Sequence, residues 1–352
     1  NMNWNWKNWN IGTKLTLAFV LIIFLGVGIT GYLSYQEASH AVIHEIEKQL
    51  EAVRQLKQNS VEDYYDGLVE EIEVASNLHE VKNNMAEFDE AFDQGTESTE
   101  YEELSSTVGA DLDRFKNQYG WYDVFLIDTD GDVIYSEAKE SDYGTNLRTG
   151  PYSDSGLAKA YSRAKNNTVV TDFEYYDPSG EPASFVATPI KDAETNQLLG
   201  VVALQVPIDE INAIMKENTG MGESGETYLV GSDKLMRSDS RFSEKSTILD
   251  RKVDTEAVNE ALNGRSGVEI VKDYRGENVF SAYTPLDMHG LEWAMLAEID
   301  EAEVMEPLDI MMRDILIVLG IVIVVAVAIS YFLIRGIIVN PIKKVQKTLS
   351  KV

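Results

Sequence analysis

Phe125–Ser136 reads FLIDTDGDVIYS, and Tyr228–Ser238 reads YLVGSDKLMRS. The first stretch is two short β-runs joined by a glycine-centred turn. The second repeats its order of aromatic, aliphatic, turn and strand residues. Downstream of the first copy, Thr168–Ile190 (TVVTDFEYYDPSGEPASFVATPI) is a further pair of runs around Pro178-Ser179-Gly180. Leu198–Ile208 (LLGVVALQVPI) is another strand, after which Asp209–Lys216 turns helical. Both later features return. Phe280–Leu286 (FSAYTPL) echoes Phe185–Ile190 (FVATPI), and Leu291–Val304 (LEWAMLAEIDEAEV) echoes Leu199–Ile211 (LGVVALQVPIDEI). Three echoes in matching order, offset by roughly a hundred residues, mark an internal repeat. The reading is an α+β chain with two tandem modules, each an antiparallel sheet with flanking helices.

Outward from the repeat the pattern is helical. Between Gln36 and Leu78 there is no proline and one glycine, Gly67. Apolar residues fall at Val42, Ile46, Leu50, Val53, Val61, Tyr64, Leu68, Ile72, Ala75 and Leu78, mostly three or four apart. That spacing predicts one long amphipathic helix. Its stripe is too narrow for a core of its own, so it should pack on the following module and against a second copy of the chain. Leu104, Val108, Leu112, Phe115 and Tyr119 predict another helix over Tyr101–Tyr119.

Two uncharged runs flank all of this: Leu15–Tyr35 and Ile315–Ile334. Each matches the ~20 residues that span a bilayer as a helix. A signal peptide has a shorter apolar core, and the first run continues into a helical, acidic segment. Lys7 and Lys14 precede the first span; Arg335, Lys343 and Lys344 follow the second. Basic flanks stay cytoplasmic, so both termini are expected inside and residues 36–312 outside. Trp4, Trp6 and Trp9 suit the headgroup layer. The expected order is a cytoplasmic N-terminus (1–14), first span (15–35), helices (36–120), membrane-distal module (121–208), membrane-proximal module (209–312), second span (315–334) and a cytoplasmic relay (335–352).

All 59 acidic residues lie between Glu37 and Asp314, and the net charge of the 352-residue chain is −29. Such a surface repels nucleic acid. With no cysteine, disulfides and thiolate metal sites are excluded. Asp128-Thr129-Asp130-Gly131-Asp132 begins like a calcium loop, but Lys139 stands where the final glutamate is required. It reads as a hairpin turn. His40 and His44, a helical turn apart beside Glu37, read as a solvated face. Asn166-Asn167-Thr168 and Gly220–Glu226 (GMGESGE) read as loops. There is no nucleotide-binding glycine loop, nucleophile elbow or paired-metal cluster, so neither enzymatic activity nor a cofactor is expected.

A long helix leaving a first span, two such modules and a second span resemble the double Cache sensor region, with its PAS-like modules, of methyl-accepting chemotaxis receptors. IGTKLTLAF before the first span resembles a chemoreceptor N-terminus. IIVNPIKKVQKTLSKV after the second, with Pro341, resembles the first helix of a HAMP relay. The resemblance implies a multi-pass protein of the cell (inner) membrane, in contact with lipid, homodimeric and coupled to a downstream cytoplasmic signalling module. The same front end also occurs on histidine kinases and nucleotide cyclases; an anchored structural protein would need no relay.

Amino-acid-binding members of that family use an Arg-x-Trp-Tyr element, a Tyr-x-Asp element and an Asp on the last distal strand. Arg148–Tyr152 resembles the first, stretched, with Pro151 in place of the tryptophan. Tyr175-Tyr176-Asp177 resembles the second, and Gln205 stands where the Asp would be. The resemblance thus implies ligand contacts from Arg148, Tyr152, Tyr175, Asp177 and Gln205. Tyr143 opens the aromatic and polar stretch that holds them. Arg148 would pair with a ligand carboxylate, so the expected ligand is small and polar or carboxylate-bearing, such as an amino acid or organic acid.

Overall fold

The computed structural model describes residues 11–341. The expectations resting on Trp4, Trp6, Trp9, Lys7, Lys343 and Lys344 lie outside them. Contacts divide the chain into Glu47–Glu301 and a second unit formed by the flanking stretches up to Ile46 and from Ala302.

Helix α1 runs unbroken over Ile11–Ser76. Within the larger unit it buries Val61, Tyr65, Leu68, Ile72 and Ala75, residues three or four apart that share one face. A short break leads to α2 (His79–Gln94), which buries Val81, Met85, Phe88 and Ala91 on the same spacing. Helix α3 (Thr99–Tyr119) starts where the Ser98 hydroxyl accepts from the Tyr101 N–H at 3.2 Å. It stops at Gly120, whose left-handed φ of 76° suits a residue without a Cβ.

The first sheet follows. Strands β1 (Asp123–Ile127), β2 (Val133–Ser136), β3 (Val169–Val170), β6 (Phe185–Lys191) and β7 (Leu198–Gln205) lie in the order β2-β1-β7-β6-β3, every neighbour antiparallel. A separate hairpin, β4 (Glu174–Tyr176) with β5 (Glu181–Ala183), sits between β3 and β6 in sequence. Alternation along the strands sorts side chains to two faces. Val124, Leu126, Val186, Val202 and Leu204 join the core shared with α1–α3. Phe125, Ile127, Phe185, Ala187, Val201 and Ala203 face α4 (Gly156–Arg163) and the β4–β5 hairpin.

After α5 (Ile208–Lys216) the plan repeats. Strands β8 (Glu226–Gly231), β9 (Gly267–Lys272), β10 (Asn278–Met288) and β11 (Leu291–Asp300) form a sheet of order β8-β11-β10-β9. Helix α6 (Glu256–Leu262) packs on it through Ala257, Val258 and Ala261. Strand for strand, β8-β11-β10-β9 matches β1-β7-β6-β3, and α6 matches α4. The copies differ at β2. Its counterpart in the second module is a single bridge, Val230 to Met236. The chain turns there, with Lys234 at φ 66°, and the Arg237 side chain that follows is buried.

Helix α7 (Glu301–Ile334) contains Pro307 and passes into a π-helical turn, Arg335–Val339. The apolar parts of α1 and α7 are long and apolar enough to cross a membrane, and their large side chains, such as Phe19, Ile22, Val324 and Phe332, are exposed. Within this unit Gly31 lets the Ile315 side chain approach; a Cβ at Gly31 would meet it at 2.9 Å.

Candidate functional site

Six buried side-chain polar atoms lack a hydrogen-bond partner among the described residues. Three belong to α1, on Arg54, Tyr64 and Tyr65. The other three are all acceptors of the first module: an Oε of Glu140, an Oδ of Asp142 and the amide oxygen of Gln205. Leaving such an atom dry and unpaired costs about 1–3 kcal/mol, so a cluster of them marks a place built for something else.

The strands explain how they meet. Gln205 ends β7 and lies directly opposite Asp123 on one side and Phe185 on the other. Side chains directly opposite leave the same face. Phe185 packs edge-on against Tyr176, ring centroids 4.9 Å apart. Tyr176, at the end of β4, donates its hydroxyl to Asp142. Gln205 in turn donates to the Ser179 hydroxyl at 3.2 Å, in the turn of the β4–β5 hairpin. The hairpin therefore covers the cluster from one side. The loop after β2 closes another, held by Asp123, whose carboxylate accepts from the N–H groups of Val124, Glu137 and Ala138 and from the Ser136 hydroxyl. Glu140 on this loop accepts from the Tyr122 hydroxyl at 2.9 Å.

Electrostatically the cluster is acidic. Burial pushes the Asp123 carboxyl up to about 6, despite its backbone and hydroxyl donors. Asp142 is raised by burial and by the charge of Glu140, against the pull of the Tyr176 hydroxyl and of the backbone N–H groups of Asp142 and Tyr143. Glu181 is raised by burial, then by Asp209 and Glu140. Burial and the bond to Glu140 push the Tyr122 phenol up to about 12.

The second module carries the same frame in a different state. Glu226 of β8 and Glu298 of β11 are paired opposite each other, as Asp123 and Gln205 are. Here every carboxylate oxygen has a donor. Glu226 takes the hydroxyls of Ser240 (2.5 Å) and Tyr274 (2.7 Å), and Glu298 those of Ser281 (2.7 Å) and Tyr228 (2.9 Å). The second site is filled by its own side chains.

Of the residues expected from sequence, Gln205 lies in the cluster. Tyr152 lies beside it, its ring 6.4 Å from that of Tyr176 and its hydroxyl bonded to Ser141 at 2.7 Å. The others stand apart. Tyr175 is 63% exposed, and Asp177 is exposed. Tyr143 faces the helices and bonds the Tyr101 hydroxyl at 2.7 Å. Arg148 is half exposed, lies over Gly131 and pairs with Asp130 at 3.7 Å. Asp123, Glu140, Asp142 and Tyr176 were not singled out. Extending the FLID/YLVG echo two residues back pairs Asp123 with Glu226 and would have exposed the acidic frame. Glu140 and Asp142 lie in a loop without periodicity and carry no such signal.

A polar cleft of about 620 Å³ also opens between α1, α2 and β6, lined by Glu73, Lys82, Asn166, Thr168 and Lys191 among others. None of the unpartnered buried atoms lies in it.

A family model described as a Cache domain matches residues 36–308. Among solved structures, the periplasmic sensory domain of the Campylobacter jejuni chemoreceptor Tlp1 is similar at TM-score 0.55 and 15% identity, covering 76% of this chain and 99% of that one. The ligand-binding domain of the Campylobacter jejuni chemoreceptor Tlp3, in complex with 4-methylisoleucine, is similar at TM-score 0.55 and 14% identity, covering 76% and 95%. At these identities the likeness is one of fold. No curated protein matches the chain.

Proposed function

The chain belongs to the Cache domain family, and from that premise we propose that it is the extracytoplasmic sensor region of a transmembrane chemoreceptor. It binds one small polar molecule in the first, membrane-distal module. Binding is passed through α7, as the second membrane span, to a HAMP relay, with a homodimer as the frame.

One observation carries the reading of the site. Two modules share a frame of paired acidic or amide side chains at the ends of equivalent strands. The second saturates its frame with tyrosine and serine hydroxyls; the first leaves the Gln205 oxygen of its frame open, beside open oxygens of Glu140 and Asp142 in the adjoining loop. A protein that needed only stability would have closed both. An open, buried acceptor set beneath a hairpin is what a ligand completes. The β4–β5 hairpin pairs with neither main sheet, so it can shift to admit one without breaking a ladder.

The test is calorimetric titration of the purified chain in detergent with amino acids, organic acids and amines, the Tlp3 ligand having put amino acids on that panel. One class should bind, and Asp142→Asn should weaken it about tenfold or more, the worth of a charge-assisted hydrogen bond. Binding that ignores Asp142→Asn and disappears in Glu226→Gln would move the site to the second module.

A further inference from the structure

We infer that the distal site takes a small organic cation, an ammonium compound without a carboxylate. The inference rests on the reading of the distal module as the binding module and names the ligand class for it.

The donors bonded inside the cluster are engaged: Tyr122 with Glu140, Tyr176 with Asp142, Ser136 with Asp123, and the Gln205 amide nitrogen with Ser179; at its edge the Tyr152–Ser141 pair shares one bond and keeps one O–H in reserve. What remains open inside the cluster is acceptors only, from Glu140, Asp142 and Gln205. Gln205 is 1% exposed and Asp142 fully buried. The complement of three buried acceptors is a group with several N–H donors and no acceptor, which describes an ammonium.

Charge gives the same answer. The charged groups acting on Asp142 and Tyr176 are carboxylates: Glu140 for the first, Asp142, Asp123 and Glu140 for the second. The basic side chains of the surrounding segments are turned elsewhere. Lys116 pairs with Glu137, Lys139 lies over the Tyr143 ring at 5.9 Å, and Arg148 pairs with Asp130. A ligand carboxylate would meet like charge and no cationic donor, only the spare O–H of the Tyr152–Ser141 pair. Among the described residues no group of three acidic or imidazole side chains is arranged to hold a metal ion. The walls suit an organic cation: Tyr176, Phe185 and Tyr152 form a connected aromatic set, and ring faces attract alkylammonium groups.

The probes are ethanolamine, choline, L-alanine, succinate, potassium chloride and calcium chloride, titrated into the purified chain in detergent micelles. The two amines should bind. Asp142→Asn should weaken them about tenfold or more. Gln205→Glu, which adds a carboxylate, should strengthen them, a gain that misfolding cannot imitate. Binding of L-alanine or succinate that responds to the same variants, with no response to either amine, overturns the ligand class and leaves the distal site standing. A response to the metal salts alone overturns it too. Amine binding indifferent to both variants and lost in Glu226→Gln overturns the distal site itself.

Discussion

A carboxyl taken out of water holds its proton harder unless a cation compensates. Glu298 is fully buried. Burial pushes it up to about 7, with Asp273 and Glu226 adding to the rise and the hydroxyls of Ser281 and Tyr228 opposing it. The folded chain therefore binds this proton more tightly than the unfolded chain. That contribution to stability is complete below about 4.5 and is lost as pH rises through about 7. At 1.36 kcal/mol per unit the loss is about 3 kcal/mol. Asp123, raised to about 6, loses its share at lower pH. The melting temperature should fall between about pH 5 and pH 7.5, as followed by circular dichroism. Glu298→Gln, neutral throughout, should flatten the curve; an unchanged slope in that variant would remove Glu298 as the cause. At this scale the sequence is half legible. Gln205 and Tyr152 stood out only through the resemblance to the family's ligand-contact elements, Gln205 at the last-strand position and Tyr152 at the end of the stretched Arg148–Tyr152 element. Tyr175 and Tyr176 are adjacent, and which one faces inward depends on a hairpin register that neighbouring residues do not specify.

Among elements, the segment joining β3 to β4 links the two modules. Asp172 accepts from both Arg237 Nε (2.8 Å) and Nη2 (2.9 Å), and from the Trp293 indole N–H at 3.0 Å. Phe173 stacks on Trp293 at 6.1 Å. The Arg237 side chain is 3% exposed and also holds Asp233. Gly231 makes the space, since a Cβ there would come within 2.3 Å of the guanidinium. The hairpin over the candidate site is thus tied at its base to β11. Asp172→Ala should cost about 3 kcal/mol by leaving a buried guanidinium underpaired, measured by chemical denaturation. Gly231→Ala should destabilise through the same arginine. Loss of less than about 1 kcal/mol in both would mean the link is solvated and weak. Helices α1 and α3 were legible from their stripes. Helix α2 and the Asp172 link were not: α2 is short and its stripe runs on from that of α1, and the link depends on residues far apart in sequence.

For the whole molecule, the internal repeat and the two apolar helices were the most legible features, because periodicity and length survive without knowledge of contacts. Net charge has its own consequence. At −29, the folded chain repels itself, and raising sodium chloride from about 0.05 M to about 0.5 M should raise the melting temperature by screening.

Strand β11 ends at Asp300 and α7 begins at Glu301, with no linker residue between them, and α7 then runs to Ile334. Trp293, which bonds Asp172, lies on that same strand. On the function proposed above, a displacement of β11 would be handed to α7, which follows it with no intervening residue. A ligand can drive such a displacement only by binding two arrangements unequally, and the hairpin, tied to both the acceptor cluster and β11, is the element that can differ between them. Inserting a flexible Gly-Ser segment between Ile299 and Pro307 should leave ligand affinity unchanged and abolish ligand-dependent output when the chain is fused to the signalling module of a characterised receptor. Affinity reports the module and output reports the junction, so the two readouts separate. A fusion that keeps full ligand-dependent output after the insertion means the signal leaves by another route, and α1, continuous from Ile11 to Ser76, would be the next element to interrupt.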